Sequence, residues 1–438
     1  MKQNNKIYFS IFLMAIILFT FSVVNINCKR KLKDFNIVVI VIDTLRSDRL
    51  DAYGYEKVTA PFLTEFSKKS ILFENAFSAS SWTSPSTASI FTSLYPFQHK
   101  VLMGLLAHIN AKKKFPDIKI DRIPEEIETM PEVLKKAGYS TFAISDNFNI
   151  GSKQGFDQGF DKMVTYGYKG AEEVNKTLFS WKDEIEKSKK YFLFIQYMDP
   201  HGPYHGRKPW FNEPKNRKLT PLLAYESEIS YVDSFIRKAY EKFGWDKNTI
   251  VVVTADHGEG LWDHGRQGHG YSLYREEIQV PLMIHFPGGP SGKRINPNVT
   301  TIDILPTLRE LIGLPKSNSD EGWSLVKLIN GEEEKYKNRY IFLYLWKRIE
   351  ILKEIKATVF KKFHFQNKLP RKKELFNLVL DKKEKKNLFL KMFKTAKDME
   401  IQFNKFFSSC KKYDKKSVNY KLNKKRLEKL KTLGYVQE

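Results

Sequence analysis

Cysteine is almost missing from this chain. Cys28 and Cys410 are the two cysteines in 438 residues, which excludes a disulfide framework and a cysteine-rich zinc site. Acidic residues are short as well: 50 Asp and Glu stand against 74 Lys and Arg, for a formal net charge of +24. A balance of that sign points to anionic neighbours such as lipid headgroups, nucleic acid or a polyanionic substrate. A lysine-rich solvated surface reads the same way. No RNA- or DNA-binding signature accompanies the charge, so nucleic acid is not an expected partner. Hydrophobic residues at 42% and aromatics at 14% supply a substantial core and argue against global disorder. The length suits one large α/β domain plus a smaller one.

One long apolar run stands out, Ile7 to Val24, preceded by Lys2 and Lys6 and followed by Cys28, Lys29, Arg30, Lys31 and Lys33. A charged start before such a run is an export signal or a membrane anchor, and the run is about long enough to span a bilayer. Cys28 resembles a bacterial lipoprotein cleavage site, with Asn25 and Asn27 as poor matches upstream. A lipoprotein and an uncleaved signal anchor both stay open. Basic residues on both flanks leave the orientation open too. Residues 1–34 are therefore expected to hold the protein in the cell envelope.

Beyond them, Asn36 to Asp43 (NIVVIVID) reads as a strand buried on both faces, as in a parallel sheet. Ala60-Pro61 opens a helix through Lys68, and Ile71 to Phe77 is a short strand. Thr129 to Gly138 is a helix with a glycine stop, followed by a strand over Tyr139 to Ser145. Lys190 to Asp199 and Thr249 to Asp256 are two more apolar strands. This alternation predicts a doubly wound, mostly parallel α/β sheet flanked by helices. Three of the strands finish in an acid: Asp43, Asp199 and Asp256. Ligands gather at the carboxyl ends of such strands, so Asp43 is well placed for a metal. A strand-end turn aspartate would look the same.

Between the second and third of these strands lies SSWTSPSTASIFTSLYP, Ser80 to Pro96. Pro85 suits the first position of a helix, and Ser84 or Ser86 can cap that end. Thr83 then sits at the mouth of a helix N-terminus, where orphan N–H groups and the dipole favour an anion. A nucleophile attacking a sulfate or phosphate ester needs that setting. An ordinary capped helix has the same pattern.

The pieces IVVIVIDTLRSDRL, the Thr83 stretch, EVLKKAGYSTFAIS, QGFDQGFD, MDPHGPY, IVVVTADHGEGLWDHGRQGHGYSLYREEIQVPLMIHFPG and TTIDILPTL occur in the order seen in the sulfatase family of the alkaline phosphatase superfamily, which this chain resembles from about Asn36 to near Tyr435. The resemblance implies a catalytic domain over 35–338 and a small C-terminal antiparallel α+β subdomain over 339–438. In that subdomain RYIFLYLW, ATVFKKFHFQ and ELFNLVLD read as strands, Lys391 to Phe407 as a closing helix, and KLNKKRLEKLKTLGYV as a short basic helix. It also implies one divalent cation, Zn²⁺, Mn²⁺, Mg²⁺ or Ca²⁺, held by Asp43, Thr83, Asp256 and His257. His201 and His269 would work on the substrate side. Asp199 with His201, Asp263, His264 or His269 offers donors for a second ion.

Departures from the family pattern matter. Sulfatases carry Cys or Ser, oxidised to formylglycine, where this chain has Thr83, with Arg four residues on where it has Thr87. The motif GKWHLG has no match, and the first-strand acid pair reads Asp43-Thr44. These changes resemble the threonine-nucleophile branch of phosphoethanolamine and lipoteichoic-acid transferases and nucleotide phosphodiesterases. Three functions follow as expectations. One is a metal-dependent hydrolase of sulfate or phosphate esters on a glycan, lipid or small molecule. The second is a phosphotransferase modifying envelope lipids or glycans. The third is an inactive protein that binds an anionic glycan.

Overall fold

Runs of Val, Ile and Phe buried on both sides form the inner strands of the molecule. The computed structural model describes residues 34–102, 104, 118–336, 339–345, 348–353, 358–363 and 373–420. The apolar run Ile7 to Val24, Cys28 and the basic segment Lys421 to Val436 lie outside the described residues. Among the described residues no helix is long and apolar enough to cross a membrane.

The central sheet has nine strands. From one edge they run Lys293–Ile295, Ile71–Phe77, Gln279–His285, Thr249–Thr254, Asn36–Ile42, Tyr191–Tyr197, Ser140–Ser145 and Lys162–Thr165, with Val299–Thr300 also on Ile71–Phe77. Gln279–His285 is antiparallel to both of its neighbours, and the other pairings are parallel. The sheet is thus mostly parallel, as expected. Asn36–Ile42 lies between Tyr191–Tyr197 and Thr249–Thr254, with Ile40 opposite Ile195 on one side and Val253 on the other. Residues 37–42 are fully buried, so every side chain on both faces has to be apolar.

Two groups of helices flank the sheet. Thr220–Phe243 packs with Pro61–Ser67 and Ala171–Ser180, while Thr83–Thr92 packs with Met130–Lys136 and Ile304–Leu311. Phe91 docks the Thr83–Thr92 helix on the sheet. Its ring meets Phe194 edge-on at 4.9 Å and also contacts Phe156 and Phe160. The helix begins at Thr83, so Pro85 is its third residue rather than its first. Pro is still tolerated there, because a first-turn N–H has no partner within the helix. Neither Ser84 nor Ser86 caps the helix. Ser86 donates its hydroxyl to the Asp256 carbonyl instead, which ties the helix to a strand end 170 residues away.

The C-terminal strands Tyr340–Leu345, Arg348–Lys353, Thr358–Phe363 and Lys373–Asn377 form an antiparallel sheet. The helix Phe393–Ser409 covers it. Ala396, Met399 and Phe403 pack with Phe342 and Leu375, and the same cluster includes Tyr95, Phe97 and Ile302 of the large domain. The chain then returns to the large domain, where Lys416–Tyr420 pairs antiparallel with Ile118–Arg122.

Candidate active site

The acids after adjacent strands converge because the strands are parallel and their carboxyl ends share one edge of the sheet. Asp43 follows the central strand and Asp256 follows its neighbour by two residues. Asp43, Asp256 and His257 are buried, and one ligand atom from each lies within 4.8 Å of the others. His257 Nε2 is 3.8 Å from Asp43 Oδ1 and 3.6 Å from Asp256 Oδ2. Thr83 closes the cup, with Oγ1 3.3 Å from His257 Nε2.

Each of these side chains is held by a second group. Asn147 donates to Asp43 Oδ2 at 2.7 Å and Gln196 at 3.3 Å. Asp256 Oδ1 accepts from the His257 N–H at 2.9 Å and the Thr44 N–H at 3.3 Å. Thr44 sits at φ 57, an unusual conformation for a β-branched residue. Tyr225 holds it there by donating to its carbonyl at 2.8 Å. The Nδ1–H of His257 donates to the Gly258 carbonyl at 2.8 Å, which leaves the Nε2 lone pair facing the cup.

Asp43 Oδ1 and Asp256 Oδ2 have no hydrogen-bond partner although both are buried. Burial, then the charge of Asp256, pushes the Asp43 carboxyl well above its ordinary range. Burial pushes Asp256 up to about 7. Two unpartnered carboxylate oxygens, an imidazole lone pair and a hydroxyl facing one point fit a divalent cation. A cation there would offset both the desolvation and the mutual repulsion.

His201 and His269 line the same mouth. The ring centroid of His269 is 4.4 Å from that of His257 and 4.8 Å from that of His201. His269 Nδ1–H donates to Glu259 Oε1 at 3.1 Å, and His201 Nδ1–H to the Gly202 carbonyl at 2.6 Å. Burial, then the neighbouring His269, lowers His201 to about 3, and burial lowers His269 well below its usual value. Both rings are therefore neutral near pH 7.

The donors considered for a second ion do not assemble. Asp263 is paired with Arg46 at 2.6 Å, and His264 with Glu276. Among the described residues, Asp43, Asp256 and His257 are the one group of three acidic or histidine donors close enough to share an ion. Sequence reasoning passed over Asn147, Gln196 and Glu259. Asn147 and Glu259 sit past apolar strands, but each lies beyond the first acid after its strand, Asp146 and Asp256, which is where the pattern points. Gln196 lies inside a strand, and its inward-facing amide leaves no trace in the pattern.

A cup that fits a cation, a hydroxyl at a helix N-terminus and two histidines on the carboxyl edge of a mostly parallel sheet define the class as a hydrolase of anionic esters. The chain belongs to the sulfatase family: residues 35–314 match the family Sulfatase, and residues 265–409 match "N-sulphoglucosamine sulphohydrolase, C-terminal". It is a sulfatase-like hydrolase. It is 23% identical to the Delta 4,5-hexuronate-2-O-sulfatase of Bacteroides thetaiotaomicron over 81% of this chain and 84% of that protein. It is 22% identical to an arylsulfatase of Clostridium perfringens over 69% of this chain and 80% of that one. Among solved structures it superposes on Ps i-CgsB with a TM-score of 0.70 at 18% identity, covering 85% of this chain and 92% of that one. The phosphonate monoester hydrolase of Agrobacterium radiobacter superposes with a TM-score of 0.65 at 18% identity, covering 85% and 95%. These superpositions bear on the fold.

Proposed function

We propose that Thr83 is the nucleophile of a metal-dependent ester hydrolase that acts on sulfate or phosphate esters and favours phosphate. The carrying observation is Thr83 Oγ1 in a buried cup, 3.3 Å from His257 Nε2, beside two unpartnered carboxylate oxygens. Held by Asp43, Asp256, His257 and Thr83, a divalent cation would lower the hydroxyl pKa and polarise the ester. Thr83 Oγ1 then bonds to phosphorus or sulfur as the bond to the leaving oxygen breaks and its electron pair departs with that oxygen. The proton lost by the Thr83 hydroxyl is taken up by Nε2 of His201 or His269 and passed to that oxygen. Water attacks phosphorus or sulfur of the Thr83 ester in turn, gives a proton back to the Thr83 oxygen as that bond breaks, and leaves with the phosphate or sulfate product. The helix N-terminus at Thr83 favours the anionic charge throughout.

The preference for phosphate follows from the nucleophile. A formylglycine hydrate has two hydroxyls, and the second lets its ester collapse by elimination. Threonine has one, so its ester must be displaced directly, which sulfate resists more than phosphate. The names of the relatives point to sulfated glycans as the alternative substrate class. Intact-protein mass spectrometry after a pulse of phosphodiester or aryl sulfate is the test. A phosphoryl adduct on the Thr83 peptide supports the proposal. An unmodified Thr83 together with an active Thr83→Ala variant overturns it in favour of direct attack by water.

The same covalent ester can be resolved by an acceptor alcohol, which would make the enzyme a transferase. Product analysis with and without lipid alcohols separates the two. We place the enzyme at a membrane of the cell envelope through Ile7 to Val24. Removal of the residues before Asn36 should release an active soluble enzyme. Full-length protein found free in the cytoplasmic fraction would contradict that placement.

A further inference from the structure

Among the described residues ten large apolar side chains are exposed, and five of them, Val379, Leu380, Leu390, Phe393 and Ile401, lie in one stretch of the C-terminal subdomain. Leu390 is 87% exposed and Phe393 57%. Single apolar residues on a surface need no explanation, but a concentration of them marks a contact. The Phe393 ring meets Phe389 edge-on at 5.7 Å, and Leu390 follows Phe389 in the chain. The helix Phe393–Ser409 carries the patch onward. Its inner side, with Ala396, Met399 and Phe403, is buried on the antiparallel sheet. Phe393, Lys397 and Ile401 recur every four residues, so they share the opposite side, and all three are exposed.

The charge on this face has one sign. Lys394 and Lys405 flank the stripe and Lys391 precedes it, and with Lys397 these four lysines have no ion-pair partner among the described residues. The two acids of the helix are engaged elsewhere: Asp398 accepts the Tyr340 hydroxyl at 3.0 Å, and Glu400 pairs with Lys373 at 3.0 Å. From Lys382 to Lys416 the chain has twelve lysines and four acids. Of the other two acids Glu384 is buried, which leaves Asp414 exposed. A merely solvated lysine face has no use for Leu390 and Ile401 in water. A bilayer interface uses both kinds of side chain, since apolar groups enter the acyl boundary while lysine heads stay with anionic headgroups.

The face also lies on the side where a membrane would be. The Thr83–Thr92 helix starts at the cup and runs back toward the amino edge of the sheet, and Tyr95 and Phe97 follow it. Phe403 and Phe406 pack on those two rings. The last turns of the outer helix are thus near the edge at which Asp34 leads into the central strand. Residues 25–33 separate Asp34 from the apolar run ending at Val24, a tether of about 30 Å at full extension. We propose that the outer face of Phe393–Ser409, with Leu390 and Lys391 before it, docks on an anionic phospholipid surface, Leu390 and Phe393 entering the bilayer boundary. The placement draws on the membrane reading of Ile7 to Val24; the exposure and the charge do not.

Lysine footprinting of the full chain is the test, with vesicles of phosphatidylcholine alone and of phosphatidylcholine mixed with phosphatidylglycerol. Acetylation by a water-soluble reagent is read at each lysine by mass spectrometry. With the anionic vesicles, labelling of Lys391, Lys394, Lys397 and Lys405 should fall by about threefold or more, while Lys176 and Lys238 on helices of the large domain keep theirs. Leu390→Ser combined with Phe393→Ser should remove most of that protection and leave turnover of a nitrophenyl ester unchanged. Lys394→Glu with Lys397→Glu should remove it at Lys391 and Lys405. Equal labelling with the two kinds of vesicle, or full protection in either double variant, overturns the proposal. If a soluble polyanion such as dextran sulfate protects the four lysines and anionic vesicles do not, the face belongs to a polyanionic glycan and lipid docking falls. Flotation of the full chain with phosphatidylcholine vesicles reads the Ile7 to Val24 anchor separately, so failure of the anchor and failure of the face are told apart.

Discussion

In the proposed mechanism Thr83 acts through a single oxygen, which makes its substitutions easy to read. Thr83→Ala removes the proposed nucleophile and a proposed donor to the cation, and should cost several orders of magnitude in kcat. Thr83→Ser keeps the hydroxyl and should retain much of the rate. Steady-state kinetics on a nitrophenyl ester distinguishes them. Asp256→Ala should abolish bound metal and activity together, and full occupancy by elemental analysis would refute its assignment as a ligand. Gly258 follows His257, a proposed ligand, and offers its carbonyl to His257 Nδ1. A Cβ there would collide with the backbone oxygen of Glu276, so Gly258→Ala should shift this loop and weaken metal affinity. That is measurable by chelator competition, and unchanged affinity would show that the loop can give way.

Two elements hold the site from either side. The Thr83–Thr92 helix is anchored by Phe91, which is fully buried among Phe156, Phe160 and Phe194. Phe91→Ala should cost about 3–5 kcal/mol in denaturant unfolding; a loss below ~1 kcal/mol would mean that the cluster collapses around the gap. On the other side, the hairpin of Gly260–Leu261 and Gln267–Gly268 leads into His269. Buried Arg46 braces it, donating to the Glu259 carbonyl at 3.0 Å and to Asp263 at 2.6 Å. Burial alone would raise the Asp263 carboxyl, but the Arg46 hydrogen bond and charge outweigh it and push it down to about 2. A folded-state value below the unfolded one stabilises the protein above about pH 4 and is lost as pH falls through about 2. Thermal unfolding should therefore show a loss of stability over that window, and Arg46→Met should flatten it. An identical slope in the variant would rule out the pair as its source.

At the scale of the whole molecule, the two subdomains are joined by a buried ion pair. Arg339 donates to Asp303 at 2.7 and 2.6 Å, and Asp303 also accepts from the backbone of Thr300 and Trp323. Arg339→Met would strand a buried carboxylate and should cost about 3–5 kcal/mol. The double variant with Asp303→Asn should recover part of that loss in urea unfolding. The return of Lys416–Tyr420 to Ile118–Arg122 adds a second tie.

Five strands of the central sheet and the acids after three of them were legible in the amino-acid sequence, because a strand buried on both faces must be continuously apolar and the first acid after it marks where it leaves the core. Asp43 and Asp256 were visible for that reason, and the position of Thr83 followed from the helix signal after it. Which acids meet was not legible. Asp199 ends a strand much as Asp43 does, yet it turns to the Ala171 amide and Arg207, away from the cup. Ser86 reads as a cap and serves as a tie to the Asp256 carbonyl. Asn147 and Gln196 became supports for Asp43 through strand neighbours about 100 and 150 residues away in sequence. Local pattern sets periodicity and burial, which depend on residues a few places apart. Pairing across the sheet is decided by the summed packing of distant segments, so the tertiary structure alone brought Thr83 to His257, 174 residues further along the chain.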